Sequence, residues 1–220
     1  GVKEAQVKAT PSWKGGPLFE DKEAGWSFKP RGRLMYDAGF VNSPGGYSNK
    51  GLGFANEVRR ARLGVEGTVP GGFGYKFELD FADGVDFADA FLSYKMGNLE
   101  FNVGQHNNFQ SLDELSSSLH SSFIERAAFT DAFGFERRVG ASVQYAKGPL
   151  LLQTGIFTDS ISDLNSVGDD NNAWSTDSRI VYAPKMGDNQ LHFGASAHYR
   201  DINGAAFFFN DPAPTEIYTT

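Results

Sequence analysis

The stretch Phe73-Gly74-Tyr75-Lys76-Phe77-Glu78-Leu79-Asp80-Phe81 decides the fold. Its odd positions are all aromatic or aliphatic, and its even positions are glycine, lysine, glutamate and aspartate. Successive side chains of an extended strand point to opposite faces, so this run builds one apolar face and one charged face. The turn Pro70-Gly71-Gly72 precedes it. Ahead of that turn, residues 57–69 place Ala61, Leu63, Val65 and Val69 on one face and Arg60, Arg62, Glu66 and Thr68 on the other. Earlier still, residues 26–40 set Trp26, Phe28, Pro30, Gly32, Leu34, Tyr36, Ala38 and Phe40 against Ser27, Lys29, Arg31, Arg33, Met35, Asp37 and Gly39. Trp26 and Phe40 stand at its two ends, where the aromatic girdles of a membrane barrel lie.

The same period continues downstream. Ala88, Ala90, Leu92 and Tyr94 alternate with Asp89, Phe91, Ser93 and Lys95, with Phe91 breaking the rule. After the turn Met96-Gly97-Asn98, Leu99, Phe101 and Val103 oppose Glu100, Asn102 and His106. Val139, Ala141, Val143 and Tyr145 oppose Arg138, Ser142 and Gln144. Weaker strands are expected over residues 150–157 and 178–183. Leu191, Phe193, Ala195, Ala197 and Tyr199 then oppose His192, Ser196, His198 and Arg200, for about nine strands in all. Short turns at residues 70–72, 96–98, 147–149 and 185–190 trade places with longer polar connections at 42–56, 107–136, 159–176 and from Asp201 onward. Residues 83–86 are the one short connection on the long-loop side. Short turns at one rim and long loops at the other are how bacterial barrels are wired.

Bulk composition agrees. The 220 residues carry a net charge of -7, no cysteine, 26 Gly and 20 Phe, with a mean hydropathy of -0.38. Gly and Phe at this density suit strands joined by glycine turns. So polar an average excludes a helical membrane protein, and no apolar run approaches the roughly 20 residues of a spanning helix. It does not exclude a barrel, whose alternation averages its apolar half away. A soluble β-sandwich or lipocalin-like barrel alternates too, with the apolar face turned inward. The aromatic ends, the loop rhythm and the concentration of arginine opposite the apolar face favour the membrane reading.

Several motifs occur in order. Trp13-Lys-Gly-Gly-Pro17 and Ser27-Phe-Lys-Pro-Arg-Gly-Arg-Leu-Met-Tyr-Asp37 are followed by Glu57-Val-Arg-Arg-Ala-Arg-Leu-Gly64. Phe87-Ala-Asp-Ala-Phe-Leu-Ser-Tyr-Lys95, Val103-Gly-Gln105, Ser116-Ser-Ser118, Phe123-Ile-Glu-Arg126 and Arg137-Arg-Val-Gly140 come next. This set resembles the phosphate-selective porin O/P family from Trp13 to Tyr199. The resemblance implies an all-β fold, a transmembrane antiparallel β-barrel of about 16 strands in the bacterial outer membrane. It also implies a homotrimer in contact with outer-membrane lipid and lipopolysaccharide, and a long third loop folded into each lumen. Residues 1–25 are then a periplasmic-side segment, residues 26–220 the N-terminal part of the barrel, and 107–136 the constriction loop. With about nine strands and a final Thr220 in place of a terminal aromatic, the chain is expected to be part of a longer one.

Lys29, Arg31, Arg33, Arg60 and Arg62 are the expected pore-lining, anion-binding residues. Fixed guanidiniums replace part of an anion's hydration, and their planar forks match phosphate oxygens. The alternative is a wall of ion pairs. A simple hairpin brings Asp37 near Arg60 and Glu66 near Arg31, and across the next turn Glu66 approaches Lys76 and Arg62 approaches Asp80. In the loop, residues 112–119 predict a short helix with Ser111 or Asp113 near its start. His120 supplies a positive charge only below its pKa, and Arg126 is expected to pair with Glu125. Members of the family with strong phosphate preference tend to carry a lysine after the serine run. None lies here between Lys95 and Lys147, which weakens the phosphate expectation.

Other chemistries find no support. His106, His120, His192 and His198 are scattered, without the spacing of a zinc site. There is no phosphate-binding loop, dinucleotide fingerprint or nucleophile elbow. Gly168-Asp-Asp-Asn-Asn172 lacks the spacing and terminal glutamate of a calcium loop. Phe207-Phe-Phe209 falls in what should be an external loop. No enzyme activity, cofactor, metal or nucleic-acid partner is expected. The functional expectation is a passive channel for small anions such as phosphate. The alternatives are a general or sugar-passing porin with structural arginines, and an outer-membrane barrel enzyme or adhesin.

Overall fold

Neighbouring alternating segments joined by turns of two or three residues can only pair antiparallel, each with the next in sequence. A computed structural model of the chain shows this arrangement. The structure describes residues 12–13, 15–42, 53–119, 123, 125–164, 173–187, 189–201 and 216–219. The strands are β1 (Ser12–Trp13), β2 (Pro17–Asp21), β3 (Trp26–Val41), β4 (Gly53–Val69), β5 (Phe73–Asp80), β6 (Asp86–Met96) and β7 (Leu99–Asn107). They continue as β8 (Arg137–Lys147), β9 (Leu150–Phe157), β10 (Trp174–Tyr182), β11 (Lys185–Met186), β12 (Asn189–Gln190), β13 (Phe193–Asp201) and β14 (Glu216–Thr219). Short helices α1 (Leu112–Leu115), α2 (Ala128–Ala132) and α3 (Ile161–Leu164) lie in the connections.

Twelve strands form one sheet in the order β1-β2-β3-β4-β5-β6-β7-β8-β9-β10-β13-β14, while β11 and β12 make a separate small ribbon. Every pairing is antiparallel. The nine strands expected from alternation are β3 to β10 and β13. The structure adds β1, β2 and β14, and residues 17–21, within the expected periplasmic-side segment, extend the sheet through Phe19 opposite Phe28. β2 was not legible because Pro17-Leu18-Phe19-Glu20-Asp21 does not alternate. Among the described residues β1 and β14 are not paired with each other, so the sheet has two edges.

Burial settles which face is which. The apolar face is open: Leu63 is 64 % exposed and Ile156 62 %, and Phe73, Phe77 and Phe81 are also exposed. The polar face is covered, with Asp89, Gln105, Arg138, Ser142, Ser175 and Asp177 buried. A soluble sandwich has the reverse arrangement, because an exposed aromatic row is unfavourable in water. Buried apolar side chains, among them Phe109, Phe135 and Phe157, lie on the concave side, where the loop after β7 folds over the sheet. Phe109 meets the Phe157 ring at 5.9 Å and His106 at 6.4 Å. None of the described helices is long and apolar enough to cross a membrane; the strands are the elements of spanning length.

Two bulges modify the alternation. Met35 faces Arg60 but Tyr36 faces Val58, leaving Arg59 as the extra residue of β4. Glu78 faces Asp89 but Leu79 faces Phe87, leaving Ala88 as the extra residue of β6. A bulge aims two successive side chains to nearly the same side. Arg59 therefore joins Arg60 on the polar face, and Ala88 is buried beside Asp89.

Candidate functional site: a basic cleft under the long loop

On the polar face β3 supplies Lys29, Arg31 and Arg33, and β4 supplies Arg60 and Arg62. Arg33 and Arg62 are direct cross-strand partners. Like charges so placed repel unless an acid lies between or beside them. Neighbouring β5 provides two: Arg62 Nε donates to Asp80 Oδ2 at 2.7 Å, and its Nη1 stands 3.3 Å from Glu78 Oε1. Glu66 holds both Arg31 and, at 3.5 Å, Lys29. The expected pairs Glu66–Arg31 and Arg62–Asp80 are thus present.

Two expected pairs are not. Asp37 takes Arg59, not Arg60, because the bulge turns Arg59 inward. Lys76 lies opposite Glu66 in the register, but its Nζ goes to Asp89 Oδ2 at 2.6 Å, where Arg137 Nε also donates to Asp89 Oδ1 at 2.9 Å. Asp89 is almost fully buried and a carboxylate there needs its cations. Glu66 is left to Arg31 and Lys29.

Arg33 and Arg60 differ from Lys29, Arg31 and Arg62. Among the described residues neither has a carboxylate within ion-pairing distance. Both donate instead to the hydroxyl of Ser118, Arg33 Nη1 at 3.0 Å. Ser118 lies in the long loop, which therefore reaches across the concave face to β3 and β4. The space between is a cleft of about 420 Å³. Seven basic side chains and four glutamates line it, so it is locally positive in a chain of net charge -7.

The loop is held in shape by its own polar groups. Ser111 caps α1, accepting from Asp113 N at 3.2 Å, as expected. Arg126 Nε pairs with Glu114 Oε2 at 3.0 Å, and its Nη2 donates to the Ser116 carbonyl at 3.0 Å. Its acid is therefore Glu114 and not Glu125; Glu125 lies 3.6 Å from Arg59. Glu114 is covered by the loop and Glu125 is exposed, so the buried acid takes the cation. Burial pushes the Glu114 and Glu136 carboxyls above the usual range, against the pull of Arg126 and Arg138 respectively. His120 lies outside the described residues, as do residues 168–172 and 207–209.

Three further inward-facing features, outside the lining of the cleft itself, were not singled out from the sequence. Arg59 was hidden by the bulge. Arg179 sits on the inward face of β10 and makes no ion pair among the described residues. Alternation from Asp177 through Arg179 would have placed it, had β10 been read from Trp174. The third is a deeper network in which Arg138 and Arg200 share Asp159, at 3.4 and 2.6 Å, and His198 Nδ1 contacts Asp177 Oδ1 at 2.6 Å. Among the described residues no group of acidic or histidine side chains is arranged to hold a metal ion.

Residues 28–209 match the family described as phosphate-selective porin O and P. The chain is also similar to an uncharacterized protein of Caulobacter vibrioides (strain ATCC 19089 / CIP 103742 / CB 15), 48% identical over 208 residues. That match covers 91% of this chain and 42% of the relative, so the chain spans less than half the relative's length.

Proposed function

The chain belongs to the phosphate-selective porin O and P family, non-enzymatic channels of the outer membrane, and from that premise we propose that it walls a passive pore favouring small anions such as phosphate. The observation that carries this reading is the pair Arg33 and Arg60: two guanidiniums without an acid among the described residues, facing a loop hydroxyl across an open cleft. An anion entering there gains charge-assisted hydrogen bonds from both forks and loses little to competing carboxylates. Lys29, Arg31 and Arg62, paired with Glu66, Asp80 and Glu78, keep the wall positive and stiff but hold their donors partly engaged. Arg126 braces the loop through Glu114 and Ser116, and His120, which follows the serine run in the sequence, adds a positive charge when protonated. In this reading the full-length protein is a homotrimer surrounded by lipid and lipopolysaccharide, a state that chemical cross-linking of outer membranes tests.

A second reading is a general porin, or one that passes sugars. It is favoured by the ion pairing of three of the five expected cations and by the absence of a lysine between Lys95 and Lys147. The reversal potential of the refolded full-length protein in a planar bilayer under a KCl gradient separates the two. The anion reading expects a chloride-side potential that collapses in Arg33→Ala/Arg60→Ala and falls less in Arg31→Ala. A wild-type potential near zero overturns it in favour of the general porin.

A further inference from the structure

Among the described residues, the contacts of the long loop with the sheet include one near Ser118 and one at its roots. Its tip, Ser118, touches β3 and β4. Its two roots meet at one place on the far side, against β10 and β13. At the first root Gln110, fully buried, donates through Nε2 to Asp177 Oδ1 at 2.7 Å and to the Ala197 carbonyl at 3.0 Å. At the second, the buried Phe135 ring stands edge-on to His198 at 6.0 Å. His198 in turn contacts Asp177 Oδ1 at 2.6 Å, and Ser175 Oγ donates to Asp177 Oδ2 at 3.1 Å.

Asp177 is 0% exposed. A carboxylate removed from water is costly unless its oxygens are hydrogen-bonded, so each donor it loses leaves a buried acceptor short. One of its three donors belongs to the loop. Undocking of the loop root therefore takes away one of the two contacts to Oδ1 and leaves His198 and Ser175 as the remaining partners of the buried carboxylate. Two residues beyond Gln110, α1 begins, capped by Ser111 and tied by Glu114 and Arg126 to the Ser116 carbonyl. A short braced segment of this kind transmits a shift at Gln110 to Ser118.

We propose that Asp177 is a positioning residue for the constriction: by holding Gln110 it sets how closely Ser118 approaches Arg33 and Arg60, and so sets pore width and selectivity without touching the solute. The selectivity part rests on the anion-channel reading; the width part does not.

The test uses full-length protein in planar bilayers, with folding followed by heat-modifiable gel mobility. Gln110→Glu replaces the donor with a second carboxylate against Asp177. The expected result is a larger single-channel current and a loss of anion preference in protein that remains folded. Adding Asp177→Asn restores a donor facing an acceptor: the new amide can donate to the glutamate and to His198 Nδ1 in its acceptor tautomer, while its oxygen takes the Ser175 proton, and only the bond to the Ala197 carbonyl stays lost. Current and reversal potential should return toward wild type. An unchanged current in Gln110→Glu, or a double variant as altered as the single, overturns the proposal. If Gln110→Glu does not fold, Gln110→Leu removes the donor without adding charge, and an unchanged current there overturns it equally. A wild-type reversal potential near zero would remove the anion reading alone, with the current still deciding the positioning role.

Discussion

Arg33 and Arg62 face each other across β3 and β4, yet their neighbours on β5 give them different roles. Arg62 has Asp80 and Glu78, whereas Arg33 has only a serine hydroxyl among the described residues. Sequence alone put both on one face and could not rank them, because the ranking depends on β5 register and on a loop returning from more than eighty residues away. Glu114 shows the same dependence and carries a pH prediction. Burial raises its carboxyl, so the folded loop holds this proton more tightly than the unfolded chain does. The stabilisation from that proton is complete below the unfolded pKa and is lost as pH rises through the raised one. As pH falls from neutral through that raised value, Glu114 protonates and leaves the Arg126 charge uncompensated in the cleft. The anion-side reversal potential should grow over this range and become less pH-dependent in Glu114→Gln. A potential that shrinks on acidification would contradict the assignment.

At the scale of elements, most of the sheet was legible. Alternation marks β3 to β8 because one face is apolar and open and the other carries mostly polar side chains. The bulges were not legible, since an extra residue leaves the local pattern looking merely imperfect, and the irregularity that did stand out, Phe91, pairs in register with Lys76 away from either bulge. β1, β2 and β14 are too short or too irregular to show a period. The face assignment makes a graded prediction. An arginine at an outward position costs about 2–4 kcal/mol at the bilayer midplane and about 0–1 near an interface. Leu63→Arg, midway along β4, should therefore destabilise the folded barrel in vesicles more than Val69→Arg at the strand end, read by urea unfolding. Equal and negligible effects would mean that this face does not meet lipid. β3 and β4 also approach closely at Gly67, where a Cβ would lie 2.0 Å from the Ser27 carbonyl oxygen and 2.6 Å from the Tyr75 hydroxyl. Tyr75 reaches over this glycine to donate to that same carbonyl at 3.2 Å. Gly67→Ala should break this contact and sharply reduce the yield of heat-modifiable protein.

For the molecule as a whole, the sheet is inside out relative to a soluble protein: apolar side chains open on one face, charges and amides covered on the other. That inversion, together with the family, is what supports the proposal that the chain forms part of a channel wall. These 220 residues contain no cysteine, so any background thiol would come from elsewhere in the full-length protein and is replaced by serine before the inversion is probed. Single cysteines placed in the full-length protein at Leu63, Val65, Glu66 and Thr68 of β4 sample both faces of one strand. Reaction of intact outer membranes with a small, charged, membrane-impermeant thiol reagent should label positions 66 and 68 and spare 63 and 65. Labelling at 63 and 65 with protection at 66 and 68 would turn the sheet the other way and contradict the account.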